Sequence, residues 1–405
     1  MEILPILSAL RRNKAGALLI GVQIALTLAI VCNSLSVVEQ RVERMRRPSG
    51  IDETNIFTLD NRWVGQPADL KARIDGDLAA LRALPGVVDA SSTNSFPLRG
   101  GGWSNVLMLT AEQKQPTAHT AIYFGDAHTL AAWGMRLVSG RWFTADEIKE
   151  FKVNDIGVPA IAVITRALAR SMFANGDALG KNIYMNPAGP TRIVGIVDRV
   201  QTPFAASSWG ESFIENSMFV PYEYVNNGLV YVVRTRPGQL VAVMRAAENK
   251  LFAIDSERVV GKLQPFAATR AHVYRAYRAL SLILGTVCGL LLTVTAFGIV
   301  GLTTYWVTQR RRQIGVRRAL GARRVDILRY FQTENLLIAG AGALLGIGLG
   351  LALNLWLATS LEMARMSLGY VTAGATIVLV LSQAAVLLPA LRAAAIPPAI
   401  AIRSA

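Results

Sequence analysis

The stretch Ala279–Gln309, ALSLILGTVCGLLLTVTAFGIVGLTTYWVTQ, contains no charged residue, and Arg310–Arg324, RRRQIGVRRALGARR, follows it at once. An uncharged run of this length exceeds the roughly 20 residues that a helix needs to cross a ~30 Å hydrocarbon core. Three more such runs lie at Ala15–Val38, Asn335–Ser360 and Met366–Leu391, whereas residues 39–278 have ordinary globular polarity. The fold class that follows is a membrane protein with four transmembrane α-helices and a large mixed α/β extracytoplasmic domain between helices 1 and 2.

The net charge of +15 would suggest nucleic acid in a soluble chain, but much of the excess lies beside the apolar runs. Arg310, Arg311, Arg312, Arg317, Arg318, Arg323, Arg324 and Arg329 are opposed within that stretch only by Asp326. Arginines in a short juxtamembrane loop set topology and meet anionic headgroups, so lipid is the expected partner and nucleic acid is excluded. The loop is expected to be cytoplasmic, which puts both termini there and residues 39–278 outside. Arg11, Arg12, Lys14, Arg392 and Arg403 agree with this; Arg41, Arg44, Arg46 and Arg47 run against it. Long domains translocate largely regardless of charge, so the loop decides. The first run is too long for a signal-peptide core and lacks a small-residue cleavage site, and reads as an uncleaved anchor. Cys32 and Cys288 fall inside spans and build no disulfide framework.

Residues 1–14 read as an amphipathic segment on the inner membrane face or as an extension of the first span, 15–38. The outer domain, 39–278, shows strand patterns at 55–60, 191–198, 217–221, 230–235 and 259–266, with one beginning at Val87-Val88. Helical patterns fall at 67–84, 165–173 and 238–252. A division into two subdomains would fall near residues 125–135. The spans 279–309, 335–360 and 366–391 follow, with a basic loop at 310–334 and a tail at 392–405. In that loop Val325, Ile327, Leu328 and Phe331 fall on one helical stripe after a break at Gly321-Ala322.

Chemistry-bearing patterns are scarce. The sequence has no phosphate-binding GxxxxGK[ST] loop, no metal-ligand spacing around His119, His128 and His272, and no nucleophile elbow. No catalytic residue, metal site or cofactor is assigned. Arg99-Gly100-Gly101-Gly102-Trp103 reads as a flexible outer loop or a contact point. The spans hold no charge of the kind an ion-coupled carrier needs, so energy is expected from elsewhere. Gly342, Gly346 and Gly350 recur every fourth residue and serve either helix packing or a subunit interface.

Residues 309–322, QRRRQIGVRRALGA, resemble the signature of the MacB/FtsX permease family. Leu388–Pro398 resembles that family's final helix and proline-bearing tail. Ala83–Val88, Leu179-Gly180-Lys181 with Arg192–Val197, and Val220-Pro221-Tyr222 are similar to its outer domain. Gln313 stands where the family usually has Glu, and the tail is poorer in charge than usual. The resemblance implies an inner-membrane permease of an ATP-binding-cassette system with a periplasmic domain. This chain carries no ATPase domain, so it would be a non-enzymatic separate subunit, with ATP and Mg bound by a partner ATPase. A second permease copy or a sister permease, a membrane-fusion adaptor and an outer-membrane channel would complete an exporter of drugs or peptides. The alternative is an FtsX-like permease that senses a ligand or activates a cell-wall hydrolase. Within 310–334 the resemblance makes the short helix around Arg323–Glu334 the element that couples the ATPase to the spans, through Arg323, Arg324, Ile327, Leu328, Phe331 and Glu334. Gly315 and Gly321 would be hinge or break points, with Arg317 and Arg318 as contacts to lipid or partner.

Overall fold

A computed structural model describes residues 14–151, 157–185, 187, 189–205, 207–261, 263–360 and 366–395. The amphipathic segment expected over Glu2–Leu10 and most of the 392–405 tail lie outside them. The chain divides into two compact units, Met1–Arg46 with Ala276–Ala405, and Arg47–Arg275.

Helix α1 (Lys14–Arg46) continues eight residues past the apolar run that ends at Val38. Glu39, Gln40, Arg41 and Glu43 are good helix formers, and the helix stops just before Arg47-Pro48, where proline disfavours a helical predecessor.

The outer unit opens with β1 (Ile56–Trp63), α2 (Leu70–Arg82) and β2 (Val87–Thr93). Then come β3 (Trp103–Leu107), β4 (Ala118–Phe124), α3 (Thr129–Trp133), β5 (Leu137–Gly140), β6 (Lys149–Phe151) and β7 (Ile161–Thr165). These lead to α4 (Arg166–Met172), β8 (Asn182–Tyr184), β9 (Pro190–Val197), α5 (Ser208–Glu211), β10 (Ser217–Val220) and β11 (Tyr222–Tyr224). The unit closes with β12 (Gly228–Thr235), α6 (Leu240–Ile254), β13 (Arg258–Val260), β14 (Gln264–Pro265) and α7 (Phe266–Val273).

These strands form two main sheets. The first has the order β13-β1-β12-β2, with β14 also on β1. Phe57, Leu59 and Trp63 of its inner face pack on Ile74, Leu78 and Leu81 of α2 and on Val243, Ala247 and Leu251 of α6. The second has the order β3-β4-β10-β7-β9-β5, with β8 on β9, around Ile122, Ile164, Leu168, Ile193 and Met218. Every strand of the second sheet lies in the chain between β2 and β12, which are themselves paired antiparallel. The subdomain division therefore follows this insertion rather than a break at 125–135. Phe96 and Trp133 meet edge to face at 4.5 Å, and Trp133, Tyr123 and Phe219 continue the aromatic joint. The Thr93 hydroxyl also donates to the Phe124 carbonyl at 3.2 Å.

The single strand expected over 259–266 is instead β13, β14 and the start of α7. Asn61 pairs with Val260, but Thr58 pairs with Gln264, so one extra residue stands on the 260–264 side. A bulge of this kind bends and divides a strand. Buried Asp77 and Arg258 sit under this sheet, joined at 2.7 and 3.1 Å, with the Tyr231 hydroxyl donating to Asp77 at 2.8 Å.

The remaining helices are α8 (Arg275–Gln309), α9 (Arg311–Ala319), α10 (Arg324–Ser360) and α11 (Leu368–Ala394). Among the described residues α1, α8, α10 and α11 are long and apolar enough to cross a membrane. Their 33, 35, 37 and 27 residues give lengths of about 40 to 55 Å. The glycine stripe shows how they pack. A Cβ on Gly342 would lie 2.7 Å from the Gly21 carbonyl, one on Gly346 2.8 Å from that of Ala25, and one on Gly350 3.4 Å from Ala29 Cα. The numbers rise together, so α1 and α10 run parallel, their backbones brought close by small residues on both sides. Asn33 Nδ2 donates to the Gly350 carbonyl at 3.1 Å across the same seam.

Helix α11 runs antiparallel to α1, with Gly374 against Leu28 and Cys32, and Cys32 reaching the Tyr370 carbonyl. Helix α8 is antiparallel too: Trp306 lies at Gly16, Thr295 bonds Thr27 at 2.8 Å, and Tyr277 lies 4.7 Å from Arg41. The rest of α8 exposes Leu282, Leu290, Val294 and Phe297, as expected of a lipid-facing surface.

Candidate functional site

The antiparallel pattern gathers the end of α8, all of α9, the start of α10 and the end of α11 at one end of the bundle. The turn between α9 and α10 is set by Gly321, at φ +99. The Ala322 amide donates to the Arg317 carbonyl at 3.1 Å and the Gly321 amide to that of Arg318 at 3.2 Å. Those two bonds form a Schellman motif, whose left-handed position favours glycine. Helix α10 then starts at Arg324, with the Asp326 carboxylate accepting from the Arg323 amide at 2.9 Å. An acidic residue there answers both a free donor and the helix dipole. From this cap α10 runs to Ser360 as one helix, so the amphipathic stripe and the third span form a single element.

Inside the turn, polar and apolar contacts tie it to the bundle. Arg310 Nη1 donates to both oxygens of buried Glu334, at 3.0 and 2.9 Å. Arg318 Nη1 donates at 2.8 Å to the Ala394 carbonyl at the end of α11. The Arg317 guanidinium lies over the Tyr330 ring, 5.1 Å from its centroid. Ile314, Ile327 and Phe331 are buried in the bundle core, with Leu328 packed at its edge.

The expected coupling residues thus fall into two groups. Gly315, Ile327, Phe331 and Glu334 face inward and hold the turn, and Gly315 lies within α9 rather than at a break. Gly321, Arg317, Arg323 and Arg324 face outward, and Arg318 is half-buried against α11. Gly342, Gly346 and Gly350 lie in the seam with α1. The outward surface includes three apolar side chains, of which helical periodicity singled out Val325 but neither Val316 nor Leu320. Leu320 is 83% exposed, Val325 51% and Val316 44%. Leu320 is the C-cap residue before Gly321, so the periodicity of neither helix reports on it. The result is an exposed apolar group in a stretch that also exposes Arg311, Arg312, Arg317, Arg323 and Arg324, a composition suited to docking rather than catalysis.

Comparison with known proteins agrees with both units. Residues 16–250 match the family described as the MacB-like periplasmic core domain, and residues 285–398 the FtsX-like permease C-terminal region. The chain is 26% identical over 318 residues to the macrolide export ATP-binding/permease protein MacB of Chromobacterium violaceum, covering 76% of this chain and 45% of that one. It is 25% identical over 403 residues to the pyoverdine export ATP-binding/permease protein PvdT of Pseudomonas syringae pv. tomato, covering 97% and 57%. The crystal structure of the periplasmic region of MacB from Actinobacillus actinomycetemcomitans aligns with a TM-score of 0.34 at 16% identity, covering 57% of this chain and 97% of that one. The chain spans about half the length of the curated relatives it matches.

Proposed function

This chain belongs to the MacB-like permease family, and on that premise we propose that it transmits the motion of an ABC ATPase across the inner membrane to its outer domain. The arginine-rich end is the cytoplasmic one by the positive-inside rule, which puts both termini in the cytoplasm and residues 47–275 in the periplasm. One observation carries the reading: the exposed Leu320–Val325 turn leads directly into α10, which starts at Arg324 and continues unbroken to Ser360. A displacement imposed on the turn moves the whole span.

A separate ATPase binding ATP and Mg docks on Val316, Leu320 and Val325, with Arg317, Arg323 and Arg324 around them. Ile327, Leu328, Phe331 and Glu334 pass the displacement to the bundle, and Gly321 permits the bend. A second permease copy or a sister permease completes the membrane part. Export of drugs, peptides or similar compounds then runs through an adaptor and an outer-membrane channel. Relatives named for macrolide and pyoverdine export support the export class.

The test is mass spectrometry of what co-purifies with the tagged full chain from native membranes, for wild type and for Leu320→Asp/Val325→Asp. The expected result is an ATPase and an adaptor with wild type, and loss of the ATPase with an intact double variant. Recovery of a cell-wall hydrolase in place of an adaptor would move the reading to signalling. Absence of any ATPase from the wild-type sample would overturn it.

A further inference from the structure

The glycine-rich stretch Arg99–Trp103 follows a held, strained turn. Leu98 has φ +65 and is the one non-glycine residue with a positive φ among the described residues, yet its side chain is buried. A leucine keeps that conformation only where its surroundings impose it, and such positions gather at ligand clamps and functional sites. Here the Leu98 amide donates to the Thr202 carbonyl at 3.4 Å and the Gly100 amide to that of Pro203 at 2.9 Å. The Ser95 hydroxyl donates to the Gly101 carbonyl. What the turn presents is Arg99, whose Nη2 reaches the two Asp60 carboxylate oxygens at 2.7 and 2.9 Å.

Asp60 and Arg62 are two residues apart on β1, so they share a face of the first sheet. With Tyr224, Gly228 and Gly261 they line a cleft of about 520 Å³. That volume is within the range of small-molecule sites. The Arg62 side chain is exposed and has no hydrogen-bond or ion-pair partner among the described residues. A Cβ on Gly228 would lie 3.4 Å from Arg62 Nε, and one on Gly261 2.8 Å from Asp60 Cβ, so glycine keeps both flanks open. The nearby carboxylate of Glu223 is already answered by Lys71 Nζ at 3.0 Å. Arg62 therefore lines the cleft unpaired among the described residues, and Arg99 reaches its edge through the Asp60 carboxylate, whose side chain is 49% exposed.

We propose that this cleft binds a small molecule through an oxyanion, a carboxylate or a phosphate, held by Arg62 and by Arg99 in competition with Asp60. The planar guanidinium fork matches either group in a bidentate way, and Arg99, carried on a held turn, joins by exchanging the Asp60 carboxylate for that of the ligand or for its phosphate. The inference does not depend on the permease reading, since it concerns the outer unit alone.

Ligand-observed NMR on the full chain in uncharged detergent at low salt tests it, with glutarate and inorganic phosphate as the probes. The expected result is saturable binding of one probe, which identifies the oxyanion as carboxylate or phosphate. Arg62→Gln should weaken it by about tenfold, and Asp60→Asn should strengthen it by releasing Arg99. Arg62 is exposed, so an unchanged unfolding temperature for Arg62→Gln certifies the comparison, and Arg62→Lys should bind between the two. Failure of both probes to bind at millimolar concentration overturns the proposal. So does binding that Arg62→Gln and Asp60→Asn leave unchanged.

Discussion

Arg310 and Glu334 are joined by two hydrogen bonds, 2.9 and 3.0 Å, with the Glu334 side chain 2% exposed and that of Arg310 13%. The pair fastens the residue after α8 to the first turns of α10. Removing one partner of a buried pair leaves an uncompensated charge and costs about 3–5 kcal/mol, whereas replacing both with apolar residues is often neutral. Arg310→Ala is therefore expected to lower the detergent unfolding temperature clearly, and Arg310→Met/Glu334→Leu to restore most of it. Equal loss in the single and double variants would mean that the pair is not what holds the turn.

Gly321 has open space around it but a left-handed backbone. Gly321→Ala thus meets a conformational penalty of about 1 kcal/mol and no clash. Near-normal unfolding with weakened ATPase binding is the expected pairing of results, read by calorimetry and pull-down. Wild-type ATPase binding would show that the turn's geometry does not matter for docking.

The glycine seam carries its own control. Gly346 lies against the α1 backbone, while a methyl group added to Gly340 or Gly348, on the same helix, would meet no atom within 4 Å. Gly346→Ala should destabilise the bundle by about 1–3 kcal/mol through overpacking, and Gly348→Ala should leave it unchanged or slightly firmer. Thermal unfolding of the two variants side by side decides this, and similar curves would refute the seam.

Glu147 supplies a pH dependence in the outer unit. Hydrogen bonds from Arg141 at 2.5 and 2.7 Å, with the Thr144 amide and hydroxyl, hold its carboxyl down to about 2 from 4.5 against partial desolvation. A folded-state value below the unfolded one means that the ionised group stabilises the fold above pH 4.5. That contribution is lost as the pH falls from 4.5 towards 2. Glu147→Gln should unfold earlier than wild type at pH 7, with the gap closing by about pH 2.5. A gap that persists in acid would assign the effect to packing.

The membrane part was largely legible in the sequence because an uncharged run of more than twenty residues has few alternatives in water. The partners within the bundle were not. Gly342 and Gly346 show a small face in the sequence, but only the structure sets Gly21 and Ala25 opposite them. The coupling stripe was legible as a helix, yet its inward and outward sides were not: Ile327 and Phe331 sit in the core, and Leu320, outside either helical repeat, is the most exposed of the group. In the outer unit the amphipathic helix Leu70–Arg82 announced itself through Leu70, Ile74, Leu78 and Leu81. Short strands such as Trp103–Leu107 and Leu137–Gly140 gave no such signal, because partners distant in the chain define them.

The position of the second sheet within the first has a practical meaning. Thr93 at the end of β2 is the direct partner of Val230 in β12, so the chain leaves and re-enters the first lobe at adjoining points about 5 Å apart. The inserted lobe is therefore a cassette: a two-residue turn joining β2 to β12 would replace it with a plain hairpin. A lobe exchanged at that junction must bring its own counterparts of Phe96 and Trp133 to cover the exposed sheet, and of the Gln201 amide that donates to the Ser49 carbonyl at 2.9 Å.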